Sequence, residues 1–147
     1  MPTTGGPATR WATGPKLASE GFLGANGIKV HNGDVWVTNL DKGTVLRIPV
    51  SRHETAGPVE TRATGLVDID DFAFTGSGDT LLAAINADNK IALVKPDGGH
   101  KTVLTGTDGL ENPTSLAVRG ATAYIASGAY FTDNDPNLLA ARIPHGK

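Results

Sequence analysis

Ile28-Lys29-Val30, Phe72-Ala73-Phe74 and Leu116-Ala117-Val118 stand 44 residues apart, and each opens an apolar segment with the same i, i+2 pair. A short polar turn and a second apolar segment follow each time: Val35-Trp36-Val37-Thr38, Leu81-Leu82-Ala83-Ala84 and Ala123-Tyr124-Ile125-Ala126. Third segments come next, at Val45-Leu46-Arg47-Ile48, Ile91-Ala92-Leu93-Val94 and Ala140-Ala141-Arg142-Ile143. The first two copies add a fourth, Val59-Glu60-Thr61-Arg62 and Lys101-Thr102-Val103-Leu104. Runs of this length with period-two alternation, bounded by Gly, Asn, Asp and Pro, read as strands rather than helices.

Four short strands in a repeat of about 40–45 residues describe a β-propeller blade, a twisted antiparallel sheet that buries its faces only against neighbouring blades. The fold class expected is therefore all-β, a three-bladed half of a propeller. Blade one spans 22–64, blade two 65–106 and blade three 107–147, the last without its outer strand. Residues 1–8 read as a flexible leader and 13–21 as a linker. Between them Thr9-Arg10-Trp11-Ala12 reads as an extra strand, 9–13, with Trp11 as its anchor. Three consecutive blades form an open arc, so that strand lies far from its own blade three and could instead complete a partner's. Two chains related by a twofold axis would close a six-bladed ring with a strand exchanged at each junction. The expected protein partner is thus a second copy, in a homodimer. A trimer closing nine blades and a split protein whose other half is a separate chain are the alternatives.

Composition sets limits on function. Nineteen Gly and nine Pro among 147 residues suit an all-β chain with many tight turns. A formal net charge of −2, with no basic tract or aromatic stacking platform, argues against nucleic acid as a partner. The absence of cysteine removes disulfides, thiolate metal sites and a cysteine nucleophile. The small polar stretch Met1-Pro2-Thr3-Thr4-Gly5-Gly6 carries no apolar run of signal-peptide or membrane-span length. A cytoplasmic location without membrane partners is the default expectation.

The wording of the repeats adds more. Asn26-Gly27-Ile28-Lys29-Val30, Asp34-Val35-Trp36-Val37-Thr38-Asn39 and Lys42-Gly43-Thr44-Val45-Leu46-Arg47-Ile48-Pro49-Val50 resemble the gluconolactonase/regucalcin-like six-bladed propellers, which include senescence-marker-like and luciferin-regenerating-enzyme-like proteins. Asp70-Asp71-Phe72-Ala73-Phe74 and Asn112-Pro113-Thr114-Ser115-Leu116-Ala117-Val118 look like that family's later blades. The resemblance covers residues 22–143 and corresponds to the C-terminal half of a usual member. It implies a divalent cation, often calcium, in a central pocket, with hydrolysis of sugar lactones or related esters in many members. It implies metal-binding roles for Asn26, in the Asn-Gly-apolar motif, and for Asp70 one blade later. Asp71, the neighbour, is expected to point the other way. The family's third ligand, a glutamate of the first blade, has no counterpart, and Glu111 is the candidate extra carboxylate. Hard cations take such oxygen ligands.

On that reading the cation polarises a lactone or ester carbonyl, and Asp70 doubles as catalytic base. Loops after the second strands should open on the same face, which makes Asn39, Asn86 and Ser127 candidate substrate-binding residues, with Thr114 at the blade-three position matching Asn26 and Asp70. The loop Ser127–Asn137 is longer than its counterparts, and its Tyr130 and Phe131 suit a lid or a partner contact, with Tyr130 also a candidate substrate-binding residue. Asn26-Gly27 can equally be a turn entering a strand, and Asp70 a carboxylate satisfying turn amides. His31, His53, His100 and His145 read as scattered surface residues near turns or in the tail, and Gly76-Ser77-Gly78-Asp79 as a hairpin turn with no helix behind it to make a phosphate loop. Trp36 and Tyr124 occupy matching positions, explained by packing between blades. The first functional expectation is a metal-dependent hydrolase of small lactones or related esters. The alternatives are a non-catalytic propeller that binds a small ligand or protein, and a propeller enzyme with condensing or cyclising activity.

Overall fold

The structure is a computed structural model that describes residues 5–143. Met1 to Thr4 of the expected leader and the tail holding His145 lie outside them. Among the described residues, eleven strands form three antiparallel sheets in chain order, with one short 3-10 turn, Gly106–Asp108, between the second and third. Blade one contains β1 (Ala25–His31), β2 (Asp34–Asn39), β3 (Thr44–Ile48) and β4 (Glu60–Ala63). Blade two contains β5 (Ile69–Phe74), β6 (Leu81–Ile85), β7 (Lys90–Val94) and β8 (His100–Leu104). Blade three contains β9 (Pro113–Arg119), β10 (Thr122–Ser127) and β11 (Asn137–Arg142). Every segment read from the three repeats is a strand, each blade is a simple meander, and blade three has three strands.

The 44-residue period is also a period in space. Asn26 bonds Asp70, Ser115 bonds Asp71 and Tyr130 bonds Asn86, each pair 44 residues apart and each bridging two successive blades. Pairing partners show which side chains hold matching places. Trp36 lies opposite Lys29, Leu82 opposite Ala73 and Tyr124 opposite Ala117, so these three occupy one slot on successive blades. Period-two alternation then gives each blade a forward and a backward face.

Forward faces meet backward faces at two junctions. Between blades one and two, Trp36 and Val45 pack against Phe72, Leu81, Ala83 and Val94, and the Trp36 and Phe74 rings meet edge to face at 5.1 Å. Between blades two and three the contact is aliphatic: Leu82, Ala84, Ile91 and Leu93 against Leu116, Ala123 and Ile125. The remaining space at these junctions is small, about 10 Å³ beside Trp36 and Val94 and about 30 Å³ beside Leu82 and Ala123.

Gly27 explains how the inner strands come so close. A Cβ there would lie 2.8 Å from Thr38 Oγ1 and 2.9 Å from the Asp70 carbonyl oxygen, so only glycine admits the approach. Asn26-Gly27 is accordingly part of β1 rather than a turn before it, and a bulge falls between Ala25 and Ile28. A second bulge lies at the matching place in β5, between Ile69 and Asp71. Bulges re-aim side chains locally, and here Asp71 reaches the inner strands on both sides instead of turning away.

The N-terminal segment is held against its own blade one in the single chain. Residues 9–13 form no strand in the chain; Trp11 lies over the chain's own blade one and donates its indole N–H to the Glu54 carbonyl oxygen at 2.7 Å. Nor is 13–21 a loose linker. The Asp41 carboxylate accepts backbone N–H groups of Glu20, Phe22 and Leu23 at 2.7–3.0 Å, and Asn39 donates to the carbonyl oxygens of Lys16 and Ala18. Those backbone donors hold the Asp41 carboxyl below the ordinary aspartate value, the Leu23 N–H most strongly. His31 is not a surface histidine: its ring stacks on Phe74 at 3.6 Å, with Nε2 3.1 Å from Asp79. No helix of the described residues is long and apolar enough to cross a membrane.

Candidate functional site

The inner strands β1, β5 and β9 begin at one end of the arc, and their first turns put Asn26, Asp70 and Thr114 around its mouth. Asp70 is the centre. Asn26 Nδ2 donates to Asp70 Oδ1 at 2.6 Å and to the Asp70 carbonyl oxygen at 3.2 Å. Asn86 Nδ2 donates to Asp70 Oδ2 at 3.3 Å and to the Pro113 carbonyl oxygen at 3.1 Å, while Asn86 Oδ1 accepts the Tyr130 hydroxyl. A continuous chain thus runs from blade one through Asp70 and Asn86 to the blade-three loop. Burial pushes the Asp70 carboxyl above the ordinary aspartate value; the Asn26 amide opposes this, the nearby charge of Asp71 adds to it, and the Asn86 amide again opposes. Burial, assisted by the charges of Asp70 and Asp68, likewise raises the Tyr130 phenol.

A second polar set lies beside the first. Lys29 Nζ stands 2.6 Å from Asp71 Oδ1 and Ser115 Oγ donates to Asp71 Oδ2 at 2.9 Å, linking all three inner strands through a buried carboxylate. Lys29 also lies over the Phe72 ring, 5.5 Å from its centroid. Sequence reading passed over this set although Asp71 and Ser115 share the 44-residue spacing that found Asn26 and Asp70.

The other candidates divide. Asn86 and Tyr130 join the Asp70 chain. Thr114 stays at the mouth, its hydroxyl donating to the Ala126 carbonyl oxygen at 3.4 Å. Glu111 does not reach Asp70: its Oε2 accepts the Thr132 hydroxyl at 2.9 Å, and its carbonyl oxygen accepts the Ala129 N–H, which braces the loop carrying Tyr130. Ser127 is buried and accepts the Glu111 N–H, so it serves the same brace. Asn39 lies inside the blade. It is 0% exposed, and both ends of its amide are spent on Lys16, Ala18 and Lys42.

Donor chemistry bears on the implied cation. Each of the two amides beside Asp70 turns its NH₂ toward two acceptors, which fixes its orientation and presents N–H dipoles to the carboxylate. Glu111 is occupied elsewhere, and no group of three His, Asp or Glu side chains among the described residues could hold a metal ion. A divalent cation takes several converging oxygens; of the expected ligands, Asn26 and Asp70 lie together in one chain and Glu111 does not join them.

No family model matches the chain, and no curated protein matches it. Solved structures do. A chain of a nidogen/laminin complex superposes with a TM-score of 0.66 at 16% identity, covering 82% of this chain and 44% of its own. A streptogramin B lyase superposes at 0.51 with 15% identity, covering 82% and 41%. A catalytically inactive virginiamycin B lyase from Staphylococcus aureus, with quinupristin, superposes at 0.53 with 16% identity, covering 84% and 42%. These are β-propeller proteins, and the likeness shows that this chain has the fold of a partial propeller. The chain spans less than half the length of each. Two of the three are lyases by description.

Proposed function

We propose that the mouth of the arc is a small-molecule site in which Asp70 acts as a general acid–base, and that hydrolysis of small lactones or related esters is the reaction it suits. The observation that carries this reading is the position of Asp70: half-buried, held by the amides of Asn26 and Asn86, and raised by burial above its ordinary value. A carboxyl moved toward neutral pH is better matched to proton transfer than an ordinary one. As carboxylate, Asp70 takes a proton from water as the oxygen adds to the lactone carbonyl. The protonated carboxyl then returns that proton to the ring oxygen as the C–O bond breaks, leaving a hydroxy acid. Asn26 and Asn86 orient the carboxyl, and Tyr130 holds Asn86.

The test is turnover of a panel of small lactones by the wild type and Asp70→Asn, with and without a chelator. The reading expects at least a 100-fold loss of kcat in the variant, a native circular dichroism spectrum and indifference to the chelator. Full activity in Asp70→Asn overturns it. Loss on chelation returns the calcium-dependent mechanism, and saturable binding without turnover makes the chain a binding module. We also propose that the protein partner is a second copy, which together with the first supplies a closed ring.

A further inference from the structure

We propose that the backward face of blade one is a docking surface for the forward face of blade three of a second copy, and that residues 11–17 are a cap that must leave it first. The proposal rests on the reading that a second copy closes the ring.

The slots that are filled at the two internal junctions are open at the two ends of the arc. Val30 holds the place of Phe74, and Tyr124 the place of Trp36, the pair whose rings meet between blades one and two. Val30 is 75% exposed and Tyr124 48%, with Ile28 at 61% beside the first and Leu138 at 83% beside the second. Each face also carries an unfilled groove that runs to the mouth. One of about 370 Å³ is lined by Ile28, Val35, Val37 and Ile48 and reaches Asn26; the other, about 520 Å³, is lined by Ala126, Pro136 and Leu138 and reaches Thr114. Exposed apolar faces of this kind mark interaction sites. Their slot-by-slot continuity with the internal junctions selects blade three of this same sequence as the occupant of blade one.

Part of the blade-one face is already taken. Trp11, Ala12 and Leu17 wall the groove over Val35, Val37 and Ile48, where the incoming sheet would pack. The cap is held by Trp11 to the Glu54 carbonyl oxygen, Lys16 Nζ to the Val59 carbonyl oxygen and Lys42 Nζ to the Pro15 carbonyl oxygen, and at its far end by Asn39 and the Ala25 N–H to the Lys16 and Leu17 carbonyl oxygens. Trp11 itself remains 39% exposed, and Val30 lies outside the cap. The cap and the partner therefore compete for one surface. Loosening the cap favours the ring, the opposite of what an exchanged strand at 9–13 requires.

The test is sedimentation velocity over a concentration series for the wild type, Trp11→Ala and Lys16→Ala, each checked for native circular dichroism. Both substitutions are expected to shift the monomer–dimer midpoint at least tenfold toward the species of twice 15.2 kDa. Adding Val30→Asp or Tyr124→Asp to either should return the monomer. A wild-type dimer that Val30→Asp breaks but cap variants leave unchanged overturns the cap and keeps ring closure. A dimer weakened by Trp11→Ala restores strand exchange and overturns the cap. Monomers throughout, or a dimer indifferent to Val30→Asp and Tyr124→Asp, overturn both.

Discussion

The two internal junctions and the two free faces are built from the same slots, yet they differ in what fills them. Phe72, Leu81 and Trp36 are almost wholly buried where blades one and two meet, and the void left beside them is about 10 Å³. At the ends of the arc the equivalent slots hold Val30 and Tyr124, beside grooves of about 370 and 520 Å³. A blade cannot bury both faces alone. The difference shows that stability resides in the junctions, whereas the free faces retain apolar surface for association.

The largest expected effect breaks a junction. Phe72→Ala empties a fully buried slot in contact with both blades and should cost about 3–5 kcal/mol in urea unfolding. Gly27→Ala comes next, because its Cβ would lie 2.9 Å from the Asp70 carbonyl oxygen, a backbone atom of the neighbouring strand, as well as against Thr38; a loss of about 1–3 kcal/mol is expected in the same melts. Free-face substitutions sharpen the contrast from the other side. Val30→Asp and Tyr124→Asp should cost monomer stability only about 1 kcal/mol, because Val30 is largely and Tyr124 half exposed in the single chain.

The smallest expected effect is a pH dependence at the mouth, where the first junction ends. Burial raises Asp70 above its ordinary value of 3.8, so the folded chain binds its proton more tightly than the unfolded chain does. The stabilisation is complete below that ordinary value and is lost as pH rises through the folded one. The stability of the wild type relative to Asp70→Asn should therefore fall between pH 3.5 and pH 7 in urea melts. A difference that stays flat or rises would remove the burial argument.

Much of this was legible in the sequence because the repeat is local and periodic. Eleven strands and the mouth positions of Asn26, Asp70 and Thr114 followed from alternation and a 44-residue step. The rest depended on contacts that no local pattern encodes. Thr9-Arg10-Trp11-Ala12 alternates like a strand, but Trp11 finds its hydrogen bond 43 residues away at Glu54, on a surface already formed by its own blade. Asn39 closes β2 opposite Ala25, but the residue opposite the matching Ile69 is Ile85, so Asn86 lies one position further along its blade. The two differ because the carbonyl oxygens of Lys16 and Ala18 lie beside Asn39, whereas Asp70 and Tyr130 lie beside Asn86. Strict alternation would turn Asp71 away, but the bulge at Ile69/Asp71 aims it at Lys29 and Ser115. Glu111 was selected for its charge, and its role as a loop brace depends on Thr132, which lies 21 residues further on.

The central claim, that the free faces are two halves of one junction, is tested most directly by cross-linking. The chain has no cysteine, so Val30→Cys and Tyr124→Cys introduce single thiols at the slots of Phe74 and Trp36, whose rings stand 5.1 Å apart within the chain. Mixed and treated with a short bis-maleimide, the two variants should yield the Val30→Cys to Tyr124→Cys product, while neither variant alone yields a dimer. Cross-links of like with like, or none in the mixture, would contradict the account.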